Sequence, residues 1–378
     1  MIRLLIAICI LSNGLAVAQT RQWTDKEAND WWARQPWLVG SNYIPATAVN
    51  QLEMWQAETF DSTRIDMELG WAEGMGMNTM RVFLHDLLWQ QDPGGFRRRI
   101  DKFLTIAKKH KIRPILVLFD SCWFPFPTVG IQPAPRRGVH NSGWVQSPGA
   151  KALADPGQDT RLLNYIQEVI LAFSTDDRIL AWDLWNEPDN TNSSSYGSSE
   201  PRNKVERVRA LLPQVFKYAR AGLPTQPLTS GLWKGGDWSS LDTLDPIEKI
   251  QVELSDIISF HNYDKPEEFE KRVKWLQAYH RPILATEYMA RPRGSTFQGI
   301  LPIARQYKVA AYNWGFAAGK TQTWLPWDSW QNPYTDRQPE IWFHDILFSN
   351  GKPYLQEEVD FIRSMTAGKT PSKATAHK

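Results

Sequence analysis

Cysteine is nearly absent: Cys9 and Cys122 are the two in 378 residues. Cys9 falls in the opening segment MIRLLIAICILSNGLAVA, which carries one basic residue, an apolar run and Ala16-Val17-Ala18 ahead of Gln19. That is the layout of a secretory signal, and the run is too short and too interrupted for a membrane span. With residues 1–18 read as a cleaved signal peptide, the mature chain keeps a single cysteine, which excludes an intramolecular disulfide. A secreted or periplasmic protein of this kind is held by its core alone, and about 360 residues are enough for a large one. Net charge is also scarce, with 43 Lys and Arg against 41 Asp and Glu. No electrostatic argument for nucleic acid or an anionic membrane as a partner follows from such a balance. No G-x-G-x-x-G or P-loop follows the first predicted strand, which speaks against a nucleotide-binding doubly wound fold. H-x-H and H-E-x-x-H spacings are missing too, so neither a metal site nor a cofactor is expected.

Tryptophan, by contrast, is abundant, with 19 residues. Core packing rarely calls for so many large rings with a polar edge, whereas sugar rings offer apolar C–H faces and hydroxyl rims that suit them. Short apolar runs predict strands at 38–43, 78–84, 113–119, 179–184, 227–232, 257–260, 282–286 and 309–314. Amphipathic stretches at 61–74, 96–110, 159–173, 204–220, 266–279, 297–307 and 354–366 alternate with them, the third with Asp159 as its expected N-cap. Apolar strands alternating with helices indicate a parallel sheet covered on both faces. Eight such units fit a closed (β/α)8 TIM barrel, here one domain over residues 19–366, expected to be monomeric. The tail 367–378, AGKTPSKATAHK from Ala367, reads as disordered. Three long connections, 120–158, 189–203 and 315–340, follow strands 3, 4 and 8. Loops on that side form the catalytic face of such a barrel, so they would wall a cleft, with the Ser-rich 189–203 segment as a mobile one.

The carboxyl ends of the predicted strands collect residues that a core would not choose. Arg81 and His85 lie at strand 2, Asp120 at strand 3, Asn186-Glu187 at strand 4, His261-Asn262-Tyr263 at strand 6, Glu287 at strand 7 and Trp314 at strand 8. Glutamates on strands 4 and 7 suit glycoside hydrolysis, which needs one carboxylic acid to protonate the leaving oxygen and a carboxylate across the anomeric carbon. Arg81 and the Tyr263 hydroxyl are placed to keep Glu287 ionised as a nucleophile. Asn186 is placed to bind a sugar 2-hydroxyl, and Glu187 needs a raised pKa to serve as the acid. Plainer roles compete: barrel histidines bonded to backbone for His85 and His261, loop capping for Asp120 and Asp264, support for Asp183, packing for Trp31, Trp32 and Trp37. Trp324, Trp327 and Trp330 in the strand 8 loop are candidate sugar platforms.

Asn-Glu-Pro at 186–188, His-x-Tyr at 261–263, Glu287, Arg81 and Trp314, in this order, resemble a clan A glycoside hydrolase, most closely glycoside hydrolase family 5. The resemblance runs over essentially the whole mature chain. It implies a retaining hydrolase of a β-linked polysaccharide or oligosaccharide, with Glu187 as acid/base, Glu287 as nucleophile and Trp314 under the cleaved sugar. Many cellulases of that family carry an Asp-Trp-His run at the end of strand 3. Here ILVLFDSCWF has Asp120 and no histidine, with His140 in the following loop, so a cellulase is not implied. The rival reading is a barrel that binds carbohydrate without turning it over.

Overall fold

The computed structural model describes residues 21–367. The expected signal and all but the first residue of the expected tail lie outside them. Eight strands, β1 (Val39–Tyr43), β2 (Thr79–Phe83), β3 (Arg113–Asp120), β4 (Ala181–Asn186), β5 (Leu228–Thr229), β6 (Ile258–His261), β7 (Ile283–Tyr288) and β8 (Ala310–Asn313), are hydrogen-bonded in the order 5-4-3-2-1-8-7-6, with every pairing parallel. The remaining gap is closed by a parallel bridge between Leu232 and Phe260, where Leu232 N donates to Ser259 O at 2.9 Å and His261 N to Leu232 O at 2.8 Å. The result is the (β/α)8 barrel the strand count implied. β5 is the shortest strand, and two residues beyond it Gly231 packs closely on Ser259: an added Cβ would lie 3.0 Å from its Oγ.

All eight strands are almost wholly buried, with apolar side chains packed beneath the surrounding helices. The amphipathic helices appear within a few residues of their expected bounds, from Ser62–Gly74 to Gln356–Thr366. Asp159 is not the N-cap: a 3-10 turn, Pro156–Gln158, runs directly into the helix, so Asp159 is its first residue and pairs with Arg207. An unforeseen helix, Pro246–Leu254, starts with a capping box between Asp245 and Glu248. Another, Asp25–Ala33, lays Trp31 and Trp32 against Leu38, Ile115, Leu180 and Leu284, and so closes the end of the barrel opposite the strand carboxyl ends. The packing role for those two tryptophans holds. No helix among the described residues is long and apolar enough to cross a membrane.

Candidate active site

Arg81 is the centre of the polar cluster. Its side chain is wholly buried, and its fork is fully used: Nε donates to Asp183 Oδ2 at 2.9 Å, Nη1 to Glu287 Oε1 and Asn42 Oδ1 at 2.9 Å each, and Nη2 to Asn186 Oδ1 at 2.7 Å. One guanidinium thus orients groups from β1, β4 and β7, a task that needs its planar, permanently charged geometry. Asp183, on β4, is a support for Arg81. The Tyr263 hydroxyl donates to Glu287 Oε2 at 2.6 Å.

Glu187 follows β4 with φ of +42°, a left-handed conformation rare for any residue but glycine and one that costs of order 1–3 kcal/mol. Its neighbours hold it there: Asn190 Nδ2 donates to Oε2 at 2.6 Å, the Cys122 thiol donates to the same oxygen at 3.2 Å, and Oε1 lies 3.0 Å from His261 Nδ1. Burial and the surrounding carboxylates push the Cys122 thiol well up, so it stays protonated and donates. His261 stands between the two glutamates, with Nε2 at 3.5 Å from Glu287 Oε1. Burial pushes its pKa down to about 4, so near neutral pH the imidazole is uncharged and carries one proton.

One oxygen from each glutamate and a ring nitrogen of His261 lie within 4.8 Å of one another. Burial raises both carboxyls above the usual range. The partners then separate them. Glu287 has a guanidinium and a phenol as donors, which favour its charged form, whereas Glu187 has only a thiol, an amide and a neutral imidazole. Of the two, Glu187 has the surroundings that better suit a protonated carboxyl. The same three residues are the group of potential metal ligands found among the described residues. Arg81 and Tyr263 donate to the two oxygens of Glu287, and Asn190 and Cys122 to Oε2 of Glu187.

A cleft of about 580 Å³, within the usual range for small-molecule sites, opens above this pair. Asn186, Glu187, His261, Tyr263, Glu287, Trp314 and Trp327 all line it. Arg81 lies beneath, touching Glu287. Asn186 is committed on both sides of its amide, its Nδ2 donating to Asp120 Oδ1 at 3.0 Å.

Four expected site residues take other places. Asp120 is buried under the floor, where it accepts from Trp144 Nε1 at 2.6 Å, from the Cys122 backbone and from Asn186, and so supports Asn186 without facing the cleft. His85 caps the helix Asp86–Gln91, its Nδ1 accepting from Leu87 N at 3.2 Å, and is fully buried outside the cleft lining. Trp324 packs on Trp342 at 6.1 Å between centroids, away from the cleft. Trp330 is also outside the lining, stacked on Trp123 at 5.4 Å with its Nε1 bonded to His140 O.

The cleft also holds residues that strand-end reasoning missed: Cys122, Trp123, Asn190, Trp233 and His344, with His140 beside them. His140 and His344 each use Nδ1 on a backbone carbonyl, Leu325 O at 2.7 Å and Met289 O at 2.6 Å, and burial drives both pKa values down. Both rings are therefore neutral with Nε2 left as an acceptor, and in His344 that atom has no partner. The Asn-Glu-Pro-Asp-Asn run at 186–190 was the one available signal for Asn190, through its turn chemistry.

No family model matches the sequence, and neither does any curated protein. Solved structures do match the fold. A GH5_18 enzyme from Streptomyces cattleya in complex with Manb1-4GlcNAc superposes with a TM-score of 0.59 at 13% identity, over 88% of this chain and 82% of that one. The exo-beta-1,4-mannosidase from Opitutaceae bacterium strain TAV5 gives 0.56 at 20% identity, over 87% and 60%. The endo-1,4-beta-D-mannanase from Thermotoga petrophila RKU-1 gives 0.55 at 14%, over 87% and 99%. The chain shares the barrel of glycoside hydrolase family 5 mannosidases and mannanases.

Proposed function

We infer that the protein is a retaining β-glycosidase that works by double displacement, with Glu287 as nucleophile and Glu187 as acid/base. The observation that carries this is the pair itself: glutamates on opposite sides of the barrel mouth with oxygens within 4.8 Å. Retaining glycosidases hold their carboxyl groups roughly 5–5.5 Å apart, whereas inverting ones need roughly 6.5–9.5 Å to seat a water. In the first step Glu287, ionised against Arg81 and Tyr263, bonds the anomeric carbon while Glu187 passes its proton to the leaving oxygen. In the second, Glu187, now a carboxylate, draws a proton from water as that water displaces Glu287. A neutral His261 between them accommodates this exchange without adding a third charge.

β-Linked, mannose-containing oligosaccharides are the first substrates to try, because the named structural neighbours act on or were crystallised with such sugars. The test is a panel of aryl β-glycosides and β-linked oligosaccharides, with proton NMR of the first product formed. Release of the β-anomer before mutarotation is expected. Initial release of the α-anomer sinks the mechanism, and inertness across the panel favours a barrel that only binds carbohydrate.

A further inference from the structure

We propose that the cleft is a blind pocket and that the enzyme removes single sugars from the non-reducing end of short β-linked chains. This rests on the glycosidase reading above and adds the direction and mode of attack. The cleft lining comes from segments following β3 to β8, and among the described residues none from the loops after β1 or β2 lines it. A laced wall stands there instead. The β3 loop and the β8 loop run together from residue 136 to 141 and from 321 to 335. Asn141 N donates to Thr321 O at 2.8 Å, Tyr334 N to Gly138 O at 2.8 Å, His140 N to Ser329 Oγ at 2.9 Å, and Gln322 Nε2 to Arg136 O at 2.8 Å.

The β4 loop joins the same wall. Gln331 Nε2 donates to Ser194 O at 2.9 Å, and the Tyr196 ring meets Trp330 edge-on at 5.0 Å. The Ser-rich segment, expected to be mobile, makes these contacts and one through Asn192, whose Oδ1 accepts from Trp123 N at 2.7 Å. β4 and β8 face each other across the barrel, so a wall joining their loops by way of the β3 loop closes the whole arc over β1 to β3. The rest of the lining comes from the segments after β5 to β7, with Trp233, Lys234, Arg272 and Arg293, and we take this arc as the way in. An enzyme that cuts inside a polymer needs chain to extend past the scissile bond both ways. This cleft lets it extend one way only.

The direction follows from the two glutamates. The leaving group, protonated by Glu187, must depart through the opening. Glu187 stands where the β4 end of the wall meets that arc: Trp233 and Lys234, from the next strand, bond Asp189 two residues after it. The sugar that becomes bonded to Glu287 is then the one against the wall, where Trp314, His140 and His344 lie. Its outer hydroxyls lie on the side of those two imidazoles, and a terminal residue supplies the free hydroxyl that an internal one would spend on the next linkage.

The experiment uses the whole enzyme and a hexasaccharide labelled at its reducing end, followed by mass spectrometry at early times, beside an aryl β-glycoside assay. The expected products are an unlabelled monosaccharide and a labelled pentamer alone. Labelled dimers to tetramers at the outset overturn the proposal while leaving the glycosidase reading intact if the aryl glycoside is cleaved. Labelled monosaccharide overturns the direction, and inertness on both substrates overturns both readings. Gln331→Ala and Trp330→Ala, which loosen the wall without touching either glutamate, should begin to release internal fragments. A folded pair of variants with the parental product pattern would show that the wall does not set the mode.

Discussion

Tyr263→Phe removes one oxygen from the site and no charge. Its hydroxyl is one of two strong donors to Glu287, at 2.6 Å from Oε2, the other being Arg81 at 2.9 Å from Oε1. Burial pushes the Glu287 carboxyl up, and Arg81 and the Tyr263 hydroxyl pull it back. A hydrogen bond to a charged acceptor contributes about 1.5–3 kcal/mol. Losing it disfavours the ionised form of Glu287 and so raises its pKa. Glu287 attacks only when ionised, so activity is lost as pH falls through its pKa, and raising that pKa moves the acid limb of kcat/KM to higher pH. The assay is kcat/KM against pH on an activated aryl β-glycoside, whose leaving group needs little protonation, so the limb reports Glu287 and not Glu187. Circular dichroism establishes that the variant is folded. An acid limb that stays in place in the folded variant refutes Glu287 as the ionised attacking group.

Glu187→Ala should slow poor leaving groups by orders of magnitude more than activated aryl glycosides, a contrast read from steady-state kinetics on the two classes. Trp327→Ala, at a cleft wall where the ring meets Tyr263 at 5.2 Å, should cost roughly 5- to 30-fold in kcat/KM if it contributes about 1–2 kcal/mol of sugar contact. Trp324→Ala should leave kcat/KM unchanged, since that ring faces Trp342. Trp32→Ala, at the opposite end of the barrel, should cost about 3–5 kcal/mol of stability by denaturant unfolding, with activity per folded molecule preserved.

The strands were legible because fully buried parallel strands must be apolar along their whole length, and runs such as PILVLF and ILAWDL are apolar enough to stand out. Short helices such as Gln51–Trp55 and Asp86–Gln91 complete too few turns to show a period, and Asp25–Ala33 is legible only once the barrel it closes exists. In the site, residues fixed by strand alternation and by the motif order came together: Arg81, Asn186, Glu187, His261, Tyr263, Glu287 and Trp314. His85 and Asp120 also lie at strand ends, but His85 stands just past β2 and folds back to cap a helix, while Asp120, the last residue of β3, braces Asn186. Sequence spacing does not distinguish the two cases. Cys122, His140 and His344 owe their places to loop lacing across residues far apart in the chain, which no local pattern records.

The central claim, that Glu287 becomes bonded to the sugar, is tested most directly by trapping that bond. A 2-deoxy-2-fluoro-β-glycoside with an activated leaving group slows both steps, the second more, so the glycosyl-enzyme accumulates. Mass spectrometry of the intact protein should show one added sugar, and peptide mapping should place it on Glu287 in the segment ILATEYMAR. An adduct on Glu187, or a fully active enzyme that forms none and releases inverted product, would contradict the account.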